Sequence, residues 1–162
     1  MNAMNETDRR QFLRGAGGVL LSSALATRVR GANDRISLGF IGLGTMGTDN
    51  LRAAIAQPGI AVAALCDVYQ PHLERAGAVA QKGGHQPKQT GDFRQILADR
   101  SIDAVCISTP DHWHPYLAVE ACKAGKDVYV EKPVSVAVND GLAMVAAARP
   151  IPPDRAAALL LR

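Results

Sequence analysis

Two adjacent residues near the end of the chain, Glu131 and Lys132, follow an apolar run, Asp127 to Val130, that reads as a short buried strand. In an open parallel sheet the carboxyl ends of strands are where ligands bind. A lysine placed there can take or give a proton, provided something nearby holds a reactive group. There, partial burial makes its ammonium easier to deprotonate near neutral pH. The residues alone leave a second reading equally open, a solvent-facing lysine paired with Glu131. Upstream, Gly42, Gly44 and Gly47 stand in the spacing GLGTMG between an apolar run and a helical one, and Asp67 lies twenty residues past Gly47.

Each of these residue types has a physical reason at its place. Gly42 permits a tight turn, Gly44 lets backbone approach a pyrophosphate, and Gly47 lets a helix pack close to a strand. The helix opening through Thr45 and Met46 presents amide groups with no helical partner and the positive end of the helix dipole. Asp67 is placed to accept hydrogen bonds from an adenosine ribose and to repel a 2′-phosphate, which favours NAD over NADP. The competing reading is a glycine-rich turn and a strand-terminal aspartate that hold nothing.

The elements that must position these residues follow from hydrophobic period and breakers. Arg35 to Ile41, Ile60 to Cys66, Ile102 to Ser108 and Asp127 to Val130 are apolar enough for strands covered on both faces. Between them, a helix after the glycine turn carries Leu51, Ala54 and Ile55 inward and stops at Pro58-Gly59. A second helix, Pro71 to Lys82, buries Leu73, Ala76 and Ala80 and stops at Gly83-Gly84, where a left-handed cap is wanted. Residues Gly84 to Thr90 read as loop. Asp92 with Gln95 resembles a capping box for Phe93 to Ala98. Pro115 suits the first turn of a helix whose inner face is Leu117, Ala118, Ala121 and Cys122 and which Gly125 ends. A last helix runs from Asn139 to Arg149. The alternation predicts an α/β fold, a Rossmann-type doubly wound parallel sheet in a single domain.

Composition narrows the function classes. The 162 residues carry a formal charge of +3 without a lysine or arginine block, so neither a nucleic-acid groove nor an anionic membrane surface is indicated. Cys66, Cys106 and Cys122 are odd in number, sit in apolar segments and lack CxxC or Cys/His ligand spacing, so they read as free, buried thiols. His112, Asp111 and His114 have no third ligand at helical or hairpin spacing, and no metal site is expected. His112 reads as an exposed loop histidine, and Trp113 as a shield for the cofactor or a residue packed on the helix.

The ends read differently from the middle. Arg9, Arg10, Phe12 and Leu13 before a short, weakly apolar run from Gly15 to Ala26, with Ala24-Leu25-Ala26 beyond, match a twin-arginine export signal. The alternative is an ordinary basic amphipathic start. Residues 1–32 are thus expected to be signal peptide and linker, leaving no membrane anchor in a periplasmic mature form, and 33–149 the dinucleotide-binding domain. The closing stretch RPIPPDRAAALLLR reads as a tail from another reading frame, following a truncation, or as a short docking helix.

Taken together, GLGTMG, Asp67, the TPxxxH run from Thr109 to His114 and Glu131-Lys132-Pro133 resemble the N-terminal domain of the Gfo/Idh/MocA oxidoreductases, over residues 35 to 149. The resemblance implies an NAD-dependent oxidation at a secondary alcohol of a sugar or cyclitol, with Lys132 the catalytic-site lysine and a cis peptide before Pro133. It also implies that Thr109, Pro110 and Glu131 belong to the cofactor site, and that His114 serves as pocket wall and helix cap together. A glycosidase-like member using NAD transiently, and a nucleotide-binding fragment without catalysis, are the alternatives. The family's second domain, which carries most of the substrate pocket and the homo-oligomer interface, has no counterpart in these residues. Loss of the sixth strand that precedes that domain in the family is expected to leave one sheet edge bare and the apolar domain interface exposed.

Overall fold

The computed structural model describes residues 35–148. The expected signal peptide and the tail from 150 to 162 lie outside the described residues. Five parallel strands, β1 (Ile36–Ile41), β2 (Ile60–Cys66), β3 (Lys88–Thr90), β4 (Ala104–Ile107) and β5 (Asp127–Val130), form one sheet in the order β3-β2-β1-β4-β5. Helices α1 (Thr45–Ile55), α2 (Gln70–Lys82), α3 (Phe93–Ala98), α4 (His114–Lys123) and α5 (Val138–Ala148) connect and follow them.

The sheet is doubly wound because its strands are apolar on both faces. Along β1, Phe40 belongs to a core with Leu51, Leu73, Ala76 and Ala80 of α1 and α2. Its neighbour Ile41 belongs to a second core with Ile96, Leu117, Ala118, Ala121 and Met144 of α3, α4 and α5. Successive side chains of a strand point to opposite faces, so an uninterrupted apolar run demands two covering layers. The described residues begin in the middle of the sheet and wind outward to both sides. Order therefore reverses between β1 and β4, and a crevice opens above their carboxyl ends.

Helix ends sit where the glycines stand. Gly84 (φ +82°) and Gly125 (φ +72°) take the left-handed conformation. The amides that follow close on α2 and α4: His85 donates to Ala80 and Lys126 to Ala121, each at 3.0 Å. These are Schellman caps, which a β-carbon would strain. Asp92 caps α3, but its carboxylate accepts from the Arg94 amide (3.0 Å), one residue earlier than a capping box would use.

Two differences from the expected elements have simple causes. The segment read as loop contains β3, whose Lys-Gln-Thr sequence has no apolar alternation. It is a strand because Ala64, Leu65 and Cys66 offer a free edge to pair with. Gly77 of α2 faces the Gln89 side-chain amide, which lies 2.4 Å from where a β-carbon would stand and can swing aside. A 3-10 turn, Asp111–Trp113, stands before α4 and was not foreseen. Among the described residues β5 ends the sheet, and Val136, Val138, Leu142 and Val145 are exposed on and beside α5.

Candidate functional site

The site begins at the glycine turn. Gly42 has φ +88°, and a β-carbon on it would lie 2.7 Å from the backbone of Ser108 and Thr109. Only glycine satisfies both the torsion and the contact. At Gly47 a β-carbon would fall 2.0 Å from the Gly42 carbonyl oxygen, so this residue sets how closely α1 approaches β1. Gly44 is different. Its φ of −60° suits any residue, and beyond the hypothetical β-carbon the nearest atom is His72 Cε1 at 3.9 Å. The space kept open by Gly44 faces the crevice.

The turn is held by its own carbonyl and amide groups. Leu43 C=O accepts from the Thr48 hydroxyl (3.0 Å) and from Arg75 (2.8 Å), while Leu43 N–H donates to Asp67 Oδ2 (2.7 Å). Thr48 N–H makes the first helical bond, to Gly44 O, leaving the amides of Thr45, Met46 and Gly47 outside the helical ladder. An anion at this end meets unpaired donors and the positive end of the dipole.

A cleft of about 950 Å³ opens here, at the upper end of ligand-site sizes. Gly42, Gly44, Thr45, Met46, Asp67, Thr109 and Pro110 of the expected site all line it. So do Tyr69, His72, Phe93, Arg94 and Trp113. Thr109 Oγ1 is buried and has no partner among the described residues. A buried, unpaired hydroxyl on a cleft wall is what a bound polar molecule would satisfy. Together with the space at Gly44, it makes the residues present fit a dinucleotide. Trp113 is half exposed and packs edge-on against Tyr116 (5.8 Å between centroids), so it both lines the cleft and packs on the helix.

Glu131 and Lys132 stand just outside this lining, at the carboxyl end of β5. Glu131 is buried, and its Oε1 accepts from the Asn50 amide (3.2 Å) and the Tyr129 hydroxyl (2.9 Å), its Oε2 from the Lys132 N–H (3.1 Å). Burial works to raise its pKa. The hydrogen bonds from Asn50, Tyr129 and the Lys132 amide, together with the Lys132 charge, outweigh that and hold the carboxyl below its usual value. Glu131 is therefore a fixed anion that anchors the backbone of Lys132. The Lys132–Pro133 peptide is cis. The Lys132 side chain is exposed, so the expected partial burial of its ammonium is not supplied by the described residues.

His114 is corrected in role. Rather than forming a pocket wall or capping α4, it is 1% exposed and is not among the residues that line the cleft. Trp113 occupies the cap position. The 3-10 turn precedes the helix, so that α4 begins at His114, whose ring is buried. Its Nε2 lies 2.7 Å from the Thr109 carbonyl and its Nδ1 2.8 Å from the Pro133 carbonyl. A neutral imidazole donates from one nitrogen only; a protonated ring serves both carbonyls. His114 thus ties the loop that lines the cleft to the turn that carries Lys132. His112 is exposed, as read.

Asn50 is the residue sequence reasoning missed. One turn into α1, it donates to Ser108 Oγ (3.1 Å) as well as to Glu131, joining the ends of β4 and β5 to the glycine helix. Its polar side chain on the strand-facing side of an otherwise apolar stripe was the available signal. Tyr69 and His72 were missed because nothing in the sequence distinguishes them from surface residues of a helix start.

Burial disfavours the thiolate form of all three cysteines. Burial, with the Asp67 and Asp92 charges, pushes Cys66 up to about 12, and burial pushes Cys106 up to about 11. Cys122, half-buried, is raised for the same first reason. Among the described residues no group of three or more His, Cys, Asp or Glu side chains could hold a metal ion, and no helix is long and apolar enough to cross a membrane.

Comparison with known proteins agrees with this geometry. The chain is 32% identical over 164 residues to a glycosyl hydrolase family 109 protein of Shewanella sp. (strain W3-18-1), covering 85% of this chain and 36% of the relative. Among solved structures it resembles the WlbA dehydrogenase from Bordetella pertussis in complex with NADH and UDP-GlcNAcA (30% identity, TM-score 0.62, 71% of this chain, 32% of that one). It also resembles KijD10, a 3-ketoreductase from Actinomadura kijaniata in complex with NADP and TDP-benzene (25% identity, TM-score 0.63, 72% and 34%). The chain thus spans about a third of the length of these proteins. The model of the oxidoreductase family with an NAD-binding Rossmann fold matches residues 36–150, and the chain belongs to this family, the Gfo/Idh/MocA oxidoreductases.

Proposed function

We propose that the chain holds NAD for an oxidoreductase reaction at a secondary alcohol of a sugar or cyclitol, and that Lys132 is its proton-transfer residue. One observation carries this reading: the glycine turn, Asp67 and the unpaired Thr109 hydroxyl line a single cleft, and Asn50 links that cleft to the anchor of Lys132. The amides of Thr45 to Gly47 would hold the pyrophosphate and Asp67 the adenosine ribose, while Thr109 and Pro110 wall the far end of the cleft. A bound nicotinamide dinucleotide supplies the hydride acceptor. The chain's own contribution is to orient it and to move the hydroxyl proton through Lys132 Nζ, steadied from below by Glu131.

The paired arginines at Arg9 and Arg10 support export through the twin-arginine route. Outside the cytoplasm there is no exchanging nicotinamide pool, so we read the cofactor as tightly held and reused within one catalytic cycle. The likeness to the Shewanella glycosyl hydrolase favours a second reading. In it the same residues oxidise a sugar only transiently, so that a leaving group can be eliminated, with no net change in cofactor.

The test is a titration of the chain with NADH, followed by nicotinamide fluorescence, for the wild type, Asp67→Ala and Lys132→Ala. Asp67→Ala is expected to weaken binding about tenfold or more, as for lost hydrogen bonds to a charged group. Lys132→Ala is expected to leave binding within about twofold, while the same change in a full-length parent abolishes turnover of sugars and inositols. Loss of affinity in Lys132→Ala would remove its assigned role. Cofactor that dissociates freely on gel filtration would count against the closed cycle, and release of nitrophenol from aryl glycosides without net NADH would favour the second reading.

A further inference from the structure

Asp67 does not face the cleft alone. Its Oδ2 accepts from Leu43 N–H at 2.7 Å and lies 3.0 Å from His72 Nδ1, while its Oδ1 accepts from Tyr69 N–H at 2.9 Å. A carboxylate offers about four lone-pair positions, and these three contacts leave one. A ribose diol brings two hydroxyl donors. Both hydroxyls can be received only if His72 gives up Oδ2, because the Leu43 and Tyr69 donors are backbone amides fixed by the turn and by the start of α2.

The surroundings of His72 suit that exchange. Its side chain is 30% exposed against 10% for Asp67, and Tyr69 meets its ring edge-on at 4.9 Å. Its Cε1 is the atom nearest the space that Gly44 keeps open. No partner holds Nε2 among the described residues. Of the other side-chain donors on or near this wall, Arg75 is engaged with the Leu43 carbonyl and Arg94 with the Asp92 carboxylate. His72 is thus the side-chain donor in direct contact with Asp67 on the cleft wall. A group that can stand between the carboxylate and a second anion is what a 2′-phosphate needs there.

We propose that His72 is a specificity-determining residue: it competes with the ribose for Asp67 and receives a 2′-phosphate, so that this site admits NADP as well as NAD. The aspartate at the end of β2 is therefore not by itself a rule for NAD. This inference rests on the cofactor reading above, and its test separates the two. NADH and NADPH are titrated against the wild type, His72→Ala and His72→Arg, each checked for native circular dichroism. The wild type is expected to bind both, with affinities within about tenfold of each other. His72→Ala should lose about tenfold or more for NADPH while NADH affinity stays level or improves. His72→Arg should shift preference further toward NADPH. Equal changes for both nucleotides, no change in either, or wild-type binding of NADH without NADPH would overturn the role of His72 and leave the NAD reading standing. Binding of neither would overturn both.

Discussion

Gly44 and Gly47 stand three residues apart in one turn, yet the structure gives them separable duties. A methyl group on Gly47 would sit 2.0 Å from the Gly42 carbonyl oxygen and 2.9 Å from its carbon. A carbon–oxygen contact relaxes at about 3.3 Å, so α1 and the turn must part by more than about 1 Å. Overpacking of this kind costs about 1–3 kcal/mol, and here the neighbour is backbone, which cannot rotate away. The better helix propensity of alanine returns about 1 kcal/mol. Because the clash is with backbone, the cost lies at the upper end of that range, about 2–3 kcal/mol, and Gly47→Ala is therefore expected to lower stability by about 1–2 kcal/mol net and to weaken NADH binding as the turn opens. Gly44→Ala meets nothing closer than 3.9 Å at a φ of −60°, so its stability should stay within about 0.5 kcal/mol of wild type. Its added methyl enters the crevice and displaces whatever approaches the amides. Losing one charge-assisted hydrogen bond is worth about 1.5–3 kcal/mol, or about tenfold to a hundredfold in affinity. Urea unfolding by circular dichroism and NADH titration measure the two quantities on the same samples. Equal destabilisation by both substitutions, or full affinity in Gly44→Ala, would refute this division of duties.

Three further outcomes are expected. His114→Ala removes a buried ring and strands the Thr109 and Pro133 carbonyls, so the urea midpoint should fall by the equivalent of about 2–5 kcal/mol; a loss below about 1 kcal/mol would contradict the tie between the two loops. Glu131 has a folded pKa below its unfolded value of about 4.3, so its stabilisation is present above that pH and lost as pH falls through the lower, folded value. Glu131→Gln should flatten this acid limb of stability against pH, and an unchanged limb would show that Glu131 does not contribute to it. Native Cys66 and Cys106, raised to about 12 and 11, should resist iodoacetamide at about pH 8 and react on unfolding, with half-buried Cys122 modified first.

Much of the architecture was legible because it rests on local rules. Strands apolar on both faces predict a covered parallel sheet, and Gly84 and Gly125 mark left-handed caps wherever they fall. The glycine turn and Asp67 could be placed on one cleft because strand, turn and helix are contiguous in sequence and leave one way to connect. β3 was not legible, since its pairing comes from the edge of β2 and not from its own residues. The cap of α3 came from Asp92 as read, but at a different amide, because backbone geometry chooses between neighbouring donors.

The site divides along the same line. Residue type and spacing along the chain determined the chemistry: glycines that admit backbone to a phosphate, an aspartate at a strand end, a lysine after β5. What only tertiary structure decided is who touches whom across distant segments. Asn50 reaches Ser108 and Glu131 from another layer, the buried His114 joins two loops, and His72 closes on Asp67. Those contacts depend on side-chain directions and on distances between elements, which packing sets and no period or motif in the sequence encodes.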